Sequence, residues 1–288
     1  MTKNFNKLVQ TACLSLAFIL AGCAAGPSKL PYPAFIDVNE LPDVFIAGMP
    51  GVRAKSLAGD PQTRRSSHRI SLPADWQFTT GASPGMSVEI FVLAGEIRLG
   101  DLALQPGGYA YIPSGSTGMS MSTSAGAVLL YFVDEMNSSS VIQTPLIQSS
   151  NLLDWRPVST AISDIGLSVK EFRSDPGSGA RTWLLKVDPT AVQSWRHSSL
   201  SKEGYLVSGN YRTSECLQGE PVTADYLPGG YYYRPAGAVH GGTEEKSTGE
   251  SIWFIRALGN EVVNDVAGCM STPDVTNGTA SPQGAAIS

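Results

Sequence analysis

The sequence predicts an all-β chain folded as two tandem β-barrels. Three observations carry this. Hydrophobic residues make up 42% of the 288 and charged residues 16%, with 30 Gly and 19 Pro cutting the apolar stretches into short runs. One module occurs twice along the chain. No stretch sustains a long helical period, whereas runs such as SVEIFVL and ADYLPGGYYYRP alternate as antiparallel barrel strands do. The length suits two domains, each able to bury a core of its own.

The chain opens with Lys3 and Lys7 ahead of an apolar stretch from Leu14 to Leu20, too short to cross a bilayer and of the length found in secretory signals. That stretch runs into Leu20-Ala21-Gly22-Cys23, which resembles a bacterial lipobox. The resemblance implies that residues 1–22 are a signal peptide and that Cys23 becomes the lipidated first residue. Ala24, in place of Asp, implies by the same resemblance an outer-membrane destination facing the periplasm. Acyl chains contribute about 0.8 kcal/mol per buried CH₂, so the membrane is reached through Cys23 without a transmembrane helix. Residues 23–40 carry Pro27, Pro31 and Pro33 and read as a partly extended tether, with packing across a barrel edge as its other role.

The repeat is plain in LQPGGYAYIPSG from Leu104 and YLPGGYYYRPAG from Tyr226, where seven of twelve positions match. Upstream, Glu89 lies six residues before Gly95 as Glu203 lies six before Gly209, and downstream GAVLLYFV parallels GESIWFIR. These matches place a first barrel at 41–150, a second at 151–265 and a polar tail at 266–288. Tyr231, Tyr232 and Tyr233 alternate through the strand before Pro235, as barrel packing does. Apart from Cys13 in the signal and Cys23, the thiols are Cys216 and Cys269. Export allows them one disulfide; two separate buried thiols are the competing arrangement.

The repeat resembles the cupin superfamily, whose second motif is Gly, five residues, Pro, any residue, Gly, two residues, then a metal-binding His. Gly229, Pro235, Gly237 and His240 fill it, whereas the first copy has Gly107, Pro113 and Gly115 but Gly118 in place of the His. The first motif, two His one residue apart and then a Glu, is matched by His197, Ser199 and Glu203, with Ser199 where the second His belongs. The resemblance implies RmlC-like jelly-roll barrels, and two-cupin exported chains of this length are similar to an uncharacterised bicupin family. It further implies a divalent ion (Fe, Mn, Ni or Zn) on His197, Glu203 and His240 of the second barrel, and none in the first. Because residues two apart on a strand share a face, Trp195, His197 and Ser199 are expected inside the barrel, together with Glu203 and Tyr205. Two imidazoles and a carboxylate suit Fe(II) or catalytic Zn²⁺. Duplicated cupins resemble dimers of single ones, so the barrels are expected to meet through a sheet face; a homodimer is left open.

Two functions follow. One is a metal-dependent protein for an oxygen-bearing small molecule, with dioxygenase- or isomerase-like chemistry. The other is a non-catalytic lipoprotein that binds a sugar or organic acid, with His197, Glu203 and His240 a metal-free remnant. The formal charge of -5 gives no attraction to nucleic acid. No nucleophile elbow, phosphate-binding loop or dinucleotide fingerprint is present. Glu244, four residues after His240, reads as a rim charge or an acid–base group, and Arg64, Arg65, His68 and Arg69 as a solvated basic loop.

Overall fold

The structure, a computed structural model, describes residues 32–269 apart from 61, 81, 117, 159–164 and 192. Cys23, the signal peptide and most of the C-terminal tail lie outside the described residues. Among the described residues the only helical element is a 3₁₀ turn at Ser150–Leu152. The rest is strand and turn, because short β-branched and aromatic runs are broken by glycines that take positive φ, among them Gly95, Gly107, Gly209 and Gly229.

Each module pairs a seven-stranded sheet with a smaller one. In the first, the large sheet runs Asp43–Phe45, Arg53–Asp60, Arg65–Leu72, Ala127–Glu135, Met86–Gly95, Gly108–Ile112, Leu146–Ser149. The four-stranded sheet facing it runs Trp76–Thr80, Met119–Thr123, Ile97–Leu99, Leu102–Leu104. The second module repeats this order. Its large sheet runs Arg156–Pro157, Leu167–Ser174, Ala180–Val187, Ser251–Leu258, Lys202–Ser208, Gly230–Arg234, Ile36–Asp37. Its small sheet has five strands, Glu220–Tyr226, Tyr211–Leu217, His240–Ser247, Trp195–Ser198 and Val263–Val266.

The modules exchange edge strands. Ile36–Asp37 precedes the first barrel yet pairs with Gly230–Arg234 of the second, and Leu146–Ser149 precedes the second yet pairs with Gly108–Ile112 of the first. Of the two roles open to residues 23–40, a tether or packing across a barrel edge, residues 32–38 take the second. The Phe35 amide donates to the Tyr226 hydroxyl at 2.9 Å, and Ala34 and Val38 are buried. Unpaired edge N–H and C=O groups are what such a strand satisfies. The basic run is corrected: Arg65, His68 and Arg69 lie on the strand Arg65–Leu72, where Arg65 pairs with Asp134 and Arg69 donates to Asn39.

The large sheets meet face to face. Phe91, Tyr109 and Phe132 from the first pack against Phe172, Tyr231 and Phe254 from the second. Phe132 and Phe254 stack with ring centroids 5.6 Å apart. The interior of the first barrel is filled by apolar side chains, including Ile70, Val88, Ile90, Val92 and Leu129. Cys216 and Cys269 are joined in a disulfide that ties the chain beyond the last strand to Tyr211–Leu217.

Candidate functional site

The second barrel is not filled. It holds a cavity of about 630 Å³ lined on one side by apolar groups such as Leu167, Val169, Trp183, Trp253 and Ile255. The large sheet that bears these groups adds Lys202 and Arg234 to the lining, and the small sheet facing it adds Arg196, His240 and Glu245.

Strand register explains why these side chains point inward. On the small sheet, Arg196 lies directly opposite His240, which lies opposite Glu215. On the large sheet, Lys202 lies opposite Arg234. Residues directly opposite across antiparallel strands share a face, so one row bearing Arg196, His240 and Glu215 confronts another bearing Lys202 and Arg234.

Carboxylates hold these cations in place. Arg234 gives both Nε and Nη2 to Oε1 of Glu215 at 2.8 Å, and lies over the Tyr232 ring at 3.8 Å. Lys202 Nζ lies 2.7 Å from Glu261 Oε1, and Arg196 is opposite Asp265 in register. Burial lowers the Lys202 pKa below the usual lysine value, and the Glu261 carboxylate offsets only part of that. A guanidinium has five N–H donors and an ammonium three, so Nη1 of Arg234 and two donors of Lys202 remain outside these pairs.

His240 donates from Nδ1 to the Ala238 carbonyl oxygen at 3.2 Å. Burial pushes its pKa well below the ordinary imidazole value, and the charges of Arg234, Lys202 and Arg196 push it further. Its ring is therefore neutral and sits in a positive field.

Glu245 enters the cavity on an irregularity of its strand: Ser214 opposes Gly241 and Arg212 opposes Lys246, so one residue faces four. The bulge needs glycine. Gly242 has φ +88, and a Cβ there would lie 2.3 Å from the Trp195 ring. Glu245 Oε1 accepts from the Tyr211 hydroxyl at 2.6 Å and from Thr213 at 3.2 Å, and burial raises its pKa. Glu244, the acid–base candidate from sequence, is exposed.

The predicted metal set is not brought together. Of His197, Glu203 and His240, only His240 lines the cavity. Trp195 and His197 belong to the opposite face of the strand Trp195–Ser198 from buried Arg196 and Ser198, and Ser199 lies just beyond that strand. The Ser199 hydroxyl accepts from the Val262 amide, and Trp195 packs on Gly242. Glu203 and Tyr205 face the other barrel. The physical reason is period two: a register read one residue late turns every side chain of a strand to the wrong face. Shifted back by one, the motif falls on Arg196, Ser198 and Lys202, and the repeat aligns Lys202 with core residue Val88. Two cations and a serine beside one histidine do not fit a divalent ion. Among the described residues no three His, Cys, Asp or Glu side chains gather as a metal-holding group.

Glu203 serves instead in a buried ionic junction between the barrels. Arg256 Nη1 donates to Glu203 at 2.9 Å, its Nε lies 2.9 Å from Glu89, and its Nη2 meets Asp134. Tyr231 and Ser67 also donate to Glu203, at 2.7 and 3.1 Å. Burial raises the Glu203 pKa more than Arg256 lowers it. Glu89 is pushed up by burial, but Arg173 and Arg256 outweigh this and hold it below the ordinary carboxylate value.

A protein-family model described as a domain of unknown function, DUF4437, matches residues 46–263, which takes in both barrels. The chain belongs to this family. No curated protein matches this DUF4437 chain. Among solved structures, one described as a "putative dioxygenase" from Nostoc punctiforme is 21% identical, with TM-score 0.67 over 83% of this chain and 88% of that one. Protein YlbA from E. coli is 15% identical, with TM-score 0.61 over 80% and 94%. A formate complex of oxalate decarboxylase from Lactobacillus farciminis is 10% identical, with TM-score 0.61 over 83% and 90%. At these identities the likeness shows the fold: DUF4437 is built here as a cupin-type jelly roll.

Proposed function

We propose that this chain is an exported, lipid-anchored bicupin that binds a small organic acid in its second barrel without using a metal. The observation that carries the reading is the meeting of Lys202 and Arg234 on one sheet with Arg196 and a neutral His240 on the other, around a cavity with an aromatic and aliphatic wall. Buried cations with donors left over suit a carboxylate, and the apolar wall suits the rest of the molecule. One solved neighbour of this fold, an oxalate decarboxylase, is described as a formate complex, which accords with a carboxylate ligand. The filled first barrel acts as a support, joined to the second by exchanged strands and the Arg256 junction.

The lipobox residues ending at Cys23 support the anchor and the periplasmic side of an outer membrane. The Cys216–Cys269 disulfide accords with an oxidising compartment. Calorimetric titration with a panel of carboxylic acids and their primary amides tests the binding reading. Acids are expected to bind, their amides to bind at least about tenfold more weakly, and Lys202→Met to remove most of that difference, since a charge-assisted hydrogen bond contributes about 1.5–3 kcal/mol. Acids and amides binding alike would refute it. Incorporation of labelled palmitate, abolished by Cys23→Ser, tests the anchor.

A further inference from the structure

Building on the organic-acid reading, we infer that the ligand is a hydroxy acid, with its carboxylate on Lys202 and Arg234 and a neighbouring hydroxyl donating to Nε2 of His240. The decisive feature is the tautomer. The partner of His240 Nδ1 is a backbone carbonyl oxygen, which only accepts, so Nδ1 carries the proton. The neutral ring then keeps its lone pair on Nε2. His240 is thus an acceptor on a lining that also carries Arg196, Lys202 and Arg234, whose charged groups can only donate.

The carboxylates beside it are engaged or closed off from the cavity. Glu215 holds Arg234 and also accepts from Tyr32 at 3.0 Å, Glu261 holds Lys202, and Oε1 of Glu245 takes two hydroxyls while its Oε2, without a hydrogen-bond partner among the described residues, is buried out of a ligand's reach. A simple carboxylate has no donor to offer Nε2 and would leave that lone pair buried against a ligand carbon, at a cost of about 1–3 kcal/mol. A hydroxyl beside the carboxylate removes the cost. The cavity, about 630 Å³, exceeds the needs of a two- or three-carbon acid, and Trp183 and Trp253 offer a wall for an aryl or branched substituent. The ligand class is therefore an apolar-substituted hydroxy acid.

The test is titration of the full chain, purified in detergent, with matched pairs: lactate against propionate, and mandelate against phenylacetate. The hydroxylated member of each pair is expected to bind at least about tenfold more tightly, and mandelate more tightly than lactate. His240→Phe is expected to bring each pair to within about twofold. Equal affinities within both pairs in the unaltered protein would overturn the hydroxy-acid inference and leave the acid-binding reading standing. A preference that survives His240→Phe would overturn the role of Nε2. Failure of all four acids to bind would overturn the acid-binding reading with it. The comparison in the unaltered protein does not depend on the variant folding.

Discussion

Replacing Arg256 with methionine should unlock the two barrels. Arg256 is 1% exposed and lies against three carboxylates, Glu89 and Asp134 from the first barrel and Glu203 from the second. Glu89 keeps Arg173 at 3.4 Å and Asp134 keeps Arg65 at 3.2 Å. Glu203 keeps only the hydroxyls of Tyr231 and Ser67. Methionine fills much of the volume, so the loss is mainly of charge compensation. Leaving a buried carboxylate without its cation costs about 3–5 kcal/mol. For a chain of this size that is a fall in Tm of roughly 6–20 °C. Urea unfolding followed by tryptophan fluorescence measures it, with Arg156→Ala as the control. Arg156 is 68% exposed and lies 4.0 Å from Glu171; loss of such a pair costs under about 1 kcal/mol. Adding Glu203→Gln to Arg256→Met should recover part of the loss, because the amide carries no charge. The deficit should also shrink on acidification. A carboxyl whose folded pKa is raised, as that of Glu203 is, favours the folded state below its unfolded pKa and loses that contribution as pH rises through the folded value. Without Arg256 that rise is larger. An Arg256→Met variant within about 1 kcal/mol of the parent at pH 7 would refute the claim that this junction holds the barrels together.

Three other outcomes follow. Asp175 accepts from the amides of Val141 and Gly177 and from the Ser178 hydroxyl, and is held at a pKa of about 2. Its contribution is present above the unfolded value of 3.8 and is lost as pH falls through about 2, so Asp175→Asn should cost about 1–2 kcal/mol at pH 7, a difference that shrinks to about 0.4 kcal/mol near pH 2 in denaturant titrations. The Cys216–Cys269 disulfide closes a separation of 53 residues; Cys269→Ser should lower stability by about 2–4 kcal/mol, and a reductant should then have no further effect on unfolding. Gly242→Ala places a Cβ against Trp195 at positive φ, so it should distort the bulge that carries Glu245 and weaken ligand affinity more than Gly249→Ala, where the space is open.

The fold was legible because it was written twice. The matching Pro-Gly-Gly-Tyr strings and the paired Glu–Gly spacings fix the modules without any knowledge of their contacts. Strand facing was harder, because MSVEIFV is buried on both faces: Val88, Ile90 and Val92 fill the barrel while Glu89 and Phe91 face its neighbour. Alternation that normally sets register disappears when both sides are covered. So of the three ligands expected only His240 lines the cavity, His197 and Glu203 were placed on the wrong side of their strands, and Arg196, Lys202, Arg234 and Glu245 were missed. A signal existed at Lys202, a lysine in the repeat position of Val88, which a purely packed barrel would not keep. Another lay in Gly241-Gly242, a pair inside a strand that marks a bulge and the re-aiming of a later side chain. The crossing of residues 32–38 to the second barrel is a contact about 190 residues away in sequence, and local pattern carries no trace of it.

The central claim is binding of an acid by the second barrel without a metal. It is tested most directly by titrating mandelate into the protein after exhaustive chelation, and again with added Mn²⁺, Fe²⁺ or Zn²⁺. The arrangement of Arg196, Lys202, Arg234 and His240 predicts the same affinity in every case, and its loss in Lys202→Met. Binding that appears only when a divalent ion is restored, and that survives Lys202→Met, would contradict it.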